Sequence, residues 1–327
     1  TFSNSTAVGF SSYASGNNSV SIGSSSISGG ENSIAIGNLS NAGDSNSVSI
    51  GKGSSSSGYW STATGYESGA SGDYSSAYGE QSNASGGSSI ALGNGATSSG
   101  GSSVALGNES RSEGETSVSI GVYSRASDTD TIAIGNSVIA DGESAIAIGS
   151  NEGTHTTQAL ADKALAIGDG AYATGSYSIA LGTRATSKGQ NNIAIGVDAC
   201  QYATGSNKIC IGAQSGPRSG DSWASDSVER IFVGSKSKFN DGPAVLEVHN
   251  GTNNHYISKG PRYLPETAVV VNGALIVKGP IVASIPKLGS NAHEPTGSQI
   301  AALFGSDDGS GNIRDAHNSF RTNSNSV

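Results

Sequence analysis

The stretch NSIAIGNLSNAGDSNSVSIG, Asn32 to Gly51, states nearly the same phrase twice. Each phrase places two aliphatic residues around a small one and ends on glycine. When the chain is aligned on that glycine, the interval is 14 residues without interruption from Gly9 to Gly149. The series continues with longer and shorter intervals at Gly168, Gly182, Gly196, Gly212 and Gly234. A fixed period of this length indicates a solenoid, in which each repeat is one coil stacked on the next.

Alternation within each coil predicts two short strands. Large aliphatics lie one and three residues before the glycine, as at Ile34 and Ile36, and Ala35 lies between them. Because side chains of a strand alternate between its two faces, we expect the aliphatics to fill the coil interior. The Ala/Ser series (Ala35, Ser49 and their equivalents) is then expected to point outward, where it would allow close approach of another chain. Small residues after the glycine predict a second strand that faces the first.

A second corner is predicted seven residues after the first, at Gly16, Gly30 and their equivalents. Asp44 and Asp128 replace this glycine in two coils. Since Asp tolerates left-handed backbone better than most residues, we expect a positive φ at this corner. The predicted fold class is therefore all-β, a parallel β-roll solenoid of 14-residue coils.

Composition excludes several classes of protein. The chain has 327 residues, 48 of them Gly, with 13% charged residues and a net charge of -9. An acidic chain without a basic patch argues against nucleic-acid binding, and no apolar run has the length of a membrane span. Because the chain contains no Met, we expect Thr1 not to be the natural start and the chain to be a mature piece.

One coil cannot be stable alone, and this predicts assembly. Its two aliphatics contribute on the order of 3–6 kcal/mol, whereas ordering its backbone costs about 14–28 kcal/mol. Ladder hydrogen bonds and stacking on neighbouring coils must supply the rest. A core this thin also predicts a further partner surface, most simply another copy of the chain.

The phrases NSIAIGNLSNAG, SIALGNGATSSG and STATGYESGASGDYSSAYG resemble the head repeats of YadA-like trimeric adhesins. The resemblance covers about Thr1 to Gly212, and loosely extends to Gly234. It implies a left-handed parallel β-roll, a homotrimer around an axis, and attachment to a host or bacterial surface receptor outside the cell, for which a glycan is one candidate. The same repeats occur in bacterial autotransporter adhesins and in phage tail fibres.

The chain departs from the autotransporter pattern after Gly234, where no neck, heptad stalk or membrane-anchor barrel follows. Its NGALIVKG phrase (Asn272–Gly279) resembles segments near the distal ends of phage tail fibres. We therefore expect a β-roll over 1–234, a small β-rich distal domain over 235–289 and a polar tail or tip over 290–327. The predicted function is a non-enzymatic tail fibre on a virion. The alternative is the head of a bacterial adhesin on a cell surface. A polysaccharide-cleaving tail spike is a lesser alternative, because it needs carboxylates paired about 5–10 Å apart and the acids here are scattered singly.

Coils five and six depart most strongly from the repeat and supply candidate binding residues. Their predicted inward positions hold Thr62, Thr64, Ser76 and Tyr78 in place of aliphatics. Aromatic residues gather around them, and exposed aromatics commonly hold sugars or other partners. The structural alternative is that these rings cap a core that has become polar. The aromatic candidates are Tyr59, Trp60, Tyr66, Tyr74 and Tyr78.

Two breaks in the period supply further candidates, because insertions in a solenoid become loops. Ser150–Lys163 contains His155, and Gly212–Arg230 contains Trp223. Phe232 is a bulky residue in the Ala/Ser series, so we expect the roll to end there and the second loop to cap it. Receptor contact is the other interpretation of this loop.

The remaining candidates are cysteines and histidines. Cys200 and Cys210 would form a disulfide if the coil brought their Cα atoms within about 7 Å, and a small buried thiol is the alternative. His249 and His255 could converge on an axial metal in a trimer, although solvated loop histidines are the simpler interpretation. No cofactor motif is present, and no cofactor is expected.

Overall fold

The structure is a computed structural model. It describes residues 4–152, 155–219, 224–225, 230–235, 246–250, 254–257, 312–314 and 321–323. The chain divides into two units, Thr1–Ser258 and Lys259–Val327. In the second unit, strands Asn312–Arg314 and Arg321–Asn323 pair antiparallel. Within the described ranges, no helix has the length and apolar character needed to cross a membrane.

The first unit contains two sheets that run along the stacked coils. We call them the long-strand sheet, with 18 strands, and the short-strand sheet, with 13. The strands of the long-strand sheet are Thr6–Val8, Val20–Ile22, Ile34–Ile36, Val48–Ile50, Thr62–Thr64, Ser76–Tyr78, Ile90–Leu92, Val104–Leu106, Val118–Ile120, Ile132–Gly135, Ile146–Gly149, Leu165–Ile167, Ile179–Leu181, Ile193–Ile195, Lys208–Ile211, Arg230–Ser235, Leu246–Asn250 and Asn254–Ile257. Those of the short-strand sheet are Tyr13–Ala14, Ile27–Ser28, Asn41–Ala42, Ser55–Ser56, Gly69–Ala70, Asn83–Ala84, Thr97–Ser98, Arg111–Ser112, Arg125–Ala126, Ile139–Ala140, Gln158–Ala159, Tyr172–Ala173 and Thr186–Ser187.

Strand pairing follows the 14-residue period and confirms the solenoid. Ala35 lies opposite Ser49 in a parallel ladder, and Asn41 lies opposite Ser55 in the other sheet. Coils also bond at their corners, where Gly51 N donates to Ile36 O at 2.8 Å. The fold is thus an all-β parallel solenoid, as the repeat predicts.

The prediction of which side chains face inward is wrong. Ala35 and Ser49 are completely buried between the sheets, whereas Ile50 is 39% and Leu92 45% exposed on the outer face of the long-strand sheet. With two strands and two corners in 14 residues, a coil brings its sheets close together. Ala and Ser fill most of the narrow space between them, and the aliphatics of the long strands face outward.

Many serine hydroxyls pair with one another in this narrow interior, although those of Ser56, Ser75 and Ser89 have no hydrogen-bond partner. Ser21 Oγ lies 2.7 Å from Ser26 Oγ, and the Ser49–Ser54 pair repeats this contact at 2.7 Å. Ser26 Oγ also lies 3.0 Å from the carbonyl oxygen of Gly23, to which it can donate. Since a buried hydroxyl without a partner is destabilising, these pairs explain how a serine-rich interior remains stable.

The expectation of positive φ at the second corner is also wrong. Gly16 and Gly30 do not have positive φ. The residues with left-handed backbone are Asn18 (φ 56°) and Asn32 (φ 54°), two positions later. Glycine is needed at this corner for space, because a Cβ on Gly16 would collide with the carbonyl oxygen of Gly30. At the first corner glycine is needed both for space and for positive φ, as at Gly37 with φ 136°.

The long-strand sheet continues past Phe232, and the expected end of the roll at this residue stays a prediction. Phe232 lies opposite Cys210 in a parallel ladder and is completely buried, and its strand pairs in turn with Leu246–Asn250. Because the position faces inward and the last described short strand is Thr186–Ser187, a large ring can be accommodated here. The division at 234/235 and 289/290 stays a prediction.

Candidate functional site

The outward aliphatics lie in line along the long-strand sheet, and we call this surface the apolar stripe. It consists of the outward residues of the long-strand sheet, two from each coil. Exposed members include Ile22, Ile36, Ile50, Leu92, Leu106, Leu181 and Ile211. A contiguous exposed apolar surface of this kind marks an interaction site.

Coils five and six interrupt this stripe with polar residues. Thr62, Thr64 and Ser76 are half-buried on the outer face, and Tyr78 is exposed there. The prediction that these four positions face inward is therefore wrong, and the interruption lies on the interaction surface. Tyr78 pairs with Leu92 in the ladder, so its ring belongs to the stripe.

Tyr59, Trp60 and Tyr74 lie together at one corner of these coils, which we call the aromatic corner. The Tyr59 ring contacts Trp60 edge-on, with centroids 6.1 Å apart, and contacts Tyr74 in the same way at 5.8 Å. Trp60 is 54% and Tyr74 60% exposed. Rings with this exposure present apolar surface to solvent.

Two of these aromatics occupy left-handed backbone. Trp60 has φ 56° and Tyr74 φ 60°, at the turn position that holds Asn18 and Asn32 in earlier coils. A left-handed conformation costs roughly 1–2 kcal/mol for an ordinary L-residue, and Asn tolerates it better. The aromatic residues at these positions are therefore not there to stabilise the turn.

Tyr66 lies at the opposite corner, so the five aromatics do not form a single face. The strand Thr62–Thr64 separates it from Trp60. Lys52 Nζ lies 5.5 Å from the centroid of the Tyr66 ring. A hydrogen bond with the Glu67 carboxylate raises the pKa of Tyr66, and the same bond lowers the pKa of Glu67.

The first break in the period forms a β-hairpin. Asn151–Glu152 pairs antiparallel with His155–Thr156, and His155 lies at one end of a groove of about 380 Å³. A second groove of about 390 Å³ shares Gln201 and Tyr202 with the first. Trp223, the candidate from the other break, lies outside the described residues.

An ion pair borders both grooves. Arg184 donates from Nε to Asp198 Oδ1 at 2.8 Å and from Nη2 to Oδ2 at 3.0 Å. This two-point contact holds the pKa of Asp198 below its usual value, mainly through the hydrogen bonds from Arg184. A planar charged pair is thus fixed on the surface.

Comparison with known families identifies the coils. The family model described as YadA head domain repeat (2 copies) matches residues 3–26, 28–54, 56–83, 84–110, 112–137 and 159–185. These coils are YadA head domain repeats. No curated protein matches the chain in sequence. The matched repeats support an adhesin-like fibre protein.

The gap between the last two matches, 138–158, contains the hairpin with His155. The hairpin is thus an insertion between YadA head repeats, which agrees with the break in period. The matched repeats also include the aromatic corner, whereas Gln201 and Tyr202 lie beyond them.

The disulfide lies beyond the matched YadA head repeats. Cys200 and Cys210 are bonded, with Cα atoms 5.6 Å apart, and both are completely buried. Of the two alternatives that the sequence leaves open, the structure shows the disulfide and not the buried thiol. Cys210 occupies the Ala/Ser series, and the inward orientation of that series lets it reach Cys200.

The metal candidates stay predictions. His249 lies opposite Asn254, and His255 lies opposite Val248, in an antiparallel ladder. The structure describes only the backbone of these two histidines. Among the described residues, no group of three or more His, Cys, Asp or Glu side chains could hold a metal ion.

Proposed function

We propose that this chain assembles as a homotrimeric extracellular fibre that attaches a phage virion to a receptor on the host surface. The observation that carries the proposal is the apolar stripe. It runs along the long-strand sheet, and in a single chain its members are half-buried or exposed.

Burial of the stripe against other copies supplies the driving force for assembly. Full burial of an aliphatic side chain contributes about 1.5–3 kcal/mol, and members such as Leu92 retain nearly half of their exposure in the single chain. The outer face of the short-strand sheet is mostly polar, with Asn41, Ser55 and Arg111 at equivalent positions. The stripe is therefore the face that supports contact between copies, and the polar face remains for other partners.

A virion is proposed as the carrier because of the C-terminal sequence. The NGALIVKG phrase resembles distal segments of tail fibres, although it lies outside the described residues. The head of a bacterial adhesin is the alternative, since YadA head repeats serve both kinds of protein. Attachment to bacterial cells would support the tail fibre, and attachment to animal cells or matrix would support the adhesin.

The aromatic corner is proposed as a receptor contact. Trp60 and Tyr74 keep left-handed backbone at an energetic cost, and more than half of each residue's surface is exposed. Exposed, closely packed aromatics dominate the affinity of many interfaces. Tyr66 and Tyr78 lie apart from them, so they are proposed as secondary contacts.

Mass in solution tests the assembly. Light scattering on the purified chain should give three times 32.4 kDa. The double variant Leu92→Lys/Leu106→Lys places charges on the stripe and should yield smaller species. Ile27→Lys is the matched control, because Ile27 is 44% exposed on the other sheet. A wild-type chain that stays monomeric at all concentrations would overturn the trimer.

Binding to whole cells tests the attachment. Trp60→Ser and Tyr74→Ser remove the rings, and serine is compatible with this turn because Ser88 occupies the equivalent position in a later coil. Each variant should weaken binding by about tenfold or more. Tyr177→Ser is the matched control, since Tyr177 has φ 59° and 54% exposure in another coil. Unchanged binding by both variants would remove the aromatic corner from the receptor site.

A further inference from the structure

We infer that the groove beside the inserted hairpin binds an acidic saccharide, a sugar chain that carries carboxylate or phosphate groups. The inference rests on the proposed attachment function and gives it a ligand class and a second site. The groove lies on the outer face of the short-strand sheet, within the first unit, and is distinct from the aromatic corner.

Two departures from the repeat make this surface concave. The hairpin with His155 lies at one end. At the other end lies a turn that contains Gln201 and Tyr202. It comes after the strand Ile193–Ile195, one coil beyond the last described short strand. The floor between them is a ladder in which Gln158, Tyr172 and Thr186 lie opposite one another in consecutive coils. It spans two coil steps, about 10 Å.

The lining suits a saccharide. Tyr172 and Tyr202 offer ring faces for the C–H surface of a sugar, together with hydroxyls that can bond its oxygens. Gln158 and Gln201 add amide groups that both donate and accept hydrogen bonds. The volume of about 380 Å³ falls within the range of small-ligand sites, which combine apolar surface with a few placed polar groups.

Charge favours an acidic sugar over a neutral one. Arg184 and Lys188 line the groove, and Arg218 lines the adjoining one. Asp198, which lines the adjoining groove, pairs with Arg184 at 2.8 Å. Lys188 is exposed, and within the described residues it forms no ion pair. On a chain of net charge -9, the Lys188 ammonium can form charge-assisted hydrogen bonds with carboxylate or phosphate.

The site stays open when the chain assembles as proposed. The groove residues point outward from the short-strand sheet, whereas the apolar stripe points outward from the long-strand sheet. Contacts between copies through the stripe therefore leave the groove facing solvent. Binding by three copies of one fibre would also raise the apparent affinity for a repetitive polysaccharide.

A glycan array tests the inference directly. The labelled full chain is applied to carboxylated glycans, phosphorylated glycans and their neutral parents. We expect the acidic glycans to be bound in preference to the neutral parents, and the subset that binds distinguishes carboxylate from phosphate. Lys188→Glu and Tyr172→Ala should each lower the apparent affinity by about tenfold or more.

Matched controls separate the groove from general effects. Arg111→Glu changes the net charge by the same amount on the same sheet, and Tyr13→Ala removes a tyrosine from the same register as Tyr172. Both should bind as the wild type does. No preference for acidic glycans, or equal loss in the control variants, would overturn the inference.

Whole-cell binding by the same variants distinguishes this inference from the attachment function. If the fibre binds cells, but acidic glycans are not bound and the groove variants behave as the wild type, the groove inference fails and attachment stands. If the fibre binds neither cells nor glycans, the attachment function itself fails. Groove variants that lose both kinds of binding would support both proposals.

Discussion

Neighbouring residues of one strand provide a sharp test of the coil interior. Ala77 is completely buried between the sheets, and its ladder partners Ala63 and Ala91 are buried as well. Ser76 precedes it on the outer face, half-buried, opposite Thr62 and Ile90. The same substitution, to Leu, should therefore have opposite consequences at two adjacent positions.

Ala77→Leu adds three carbon atoms to an interior filled by small side chains. Overpacking of a close-packed core typically costs about 1–3 kcal/mol, and we expect the upper end because the buried neighbours on both sides limit relaxation. Ser76→Leu adds a similar volume to a surface that is aliphatic in most other coils. We expect a change within about 0.5 kcal/mol, as for surface substitutions generally.

Urea denaturation followed by circular dichroism measures this difference, at one protein concentration because assembly shifts the midpoint. Ala77→Leu should lower the midpoint without changing the slope, and Ser76→Leu should leave it nearly unchanged. The reverse order, with Ala77→Leu tolerated and Ser76→Leu destabilising, would show that the assigned interior is wrong.

Three further outcomes are expected. Gly93→Ala should destabilise the fold by about 2 kcal/mol or more, because φ is 141° and a Cβ would collide with the next coil. Gly87→Ala should be nearly neutral, since nothing lies within 4 Å of a Cβ there. Thermal unfolding of both variants measures the difference. Cys200→Ser/Cys210→Ser should lose roughly 3 kcal/mol of stability by loop entropy, measured by urea denaturation with and without reductant. Hydrogen bonds from Arg184 lower the pKa of Asp198 in the folded chain. The pair therefore stabilises the fold fully above the unfolded pKa of about 3.9. This stabilisation is lost as pH falls through the folded pKa. Asp198→Asn should flatten the fall in midpoint below about pH 4.

The period predicted the architecture and the strand register, but it could not predict which face is inside. Alternation shows that Ile34 and Ile36 share one face and that Ala35 lies on the other. The choice between the faces depends on the distance between the two sheets, which follows from the tight corners and not from the alternation. Hydrophobicity alone favours aliphatics inside, and here the narrow coil overrides it.

The groove shows a second limit of sequence analysis. The broken period identified the insertion and therefore His155. Tyr172 and Lys188 lie within coils of regular length, where nothing in the sequence separates them from other outward residues. They become part of a site because the hairpin and the later turn border the same face, which is a property of the stacked coils.

The inward placement of Ala and Ser separates two roles that one core usually combines. Close contacts, ladder bonds and hydroxyl pairs such as Ser49–Ser54 define the shape of each coil, and they involve little apolar surface. The larger aliphatics remain outside, as Leu92 does, so their hydrophobic free energy is available only through another surface. A single chain therefore has a well-defined coil but an incomplete apolar core. This favours a fibre in which folding and association are coupled, and it leaves the polar face free to vary. The groove lies on that polar face, where substitutions can change binding without disturbing the contacts that hold the coils together.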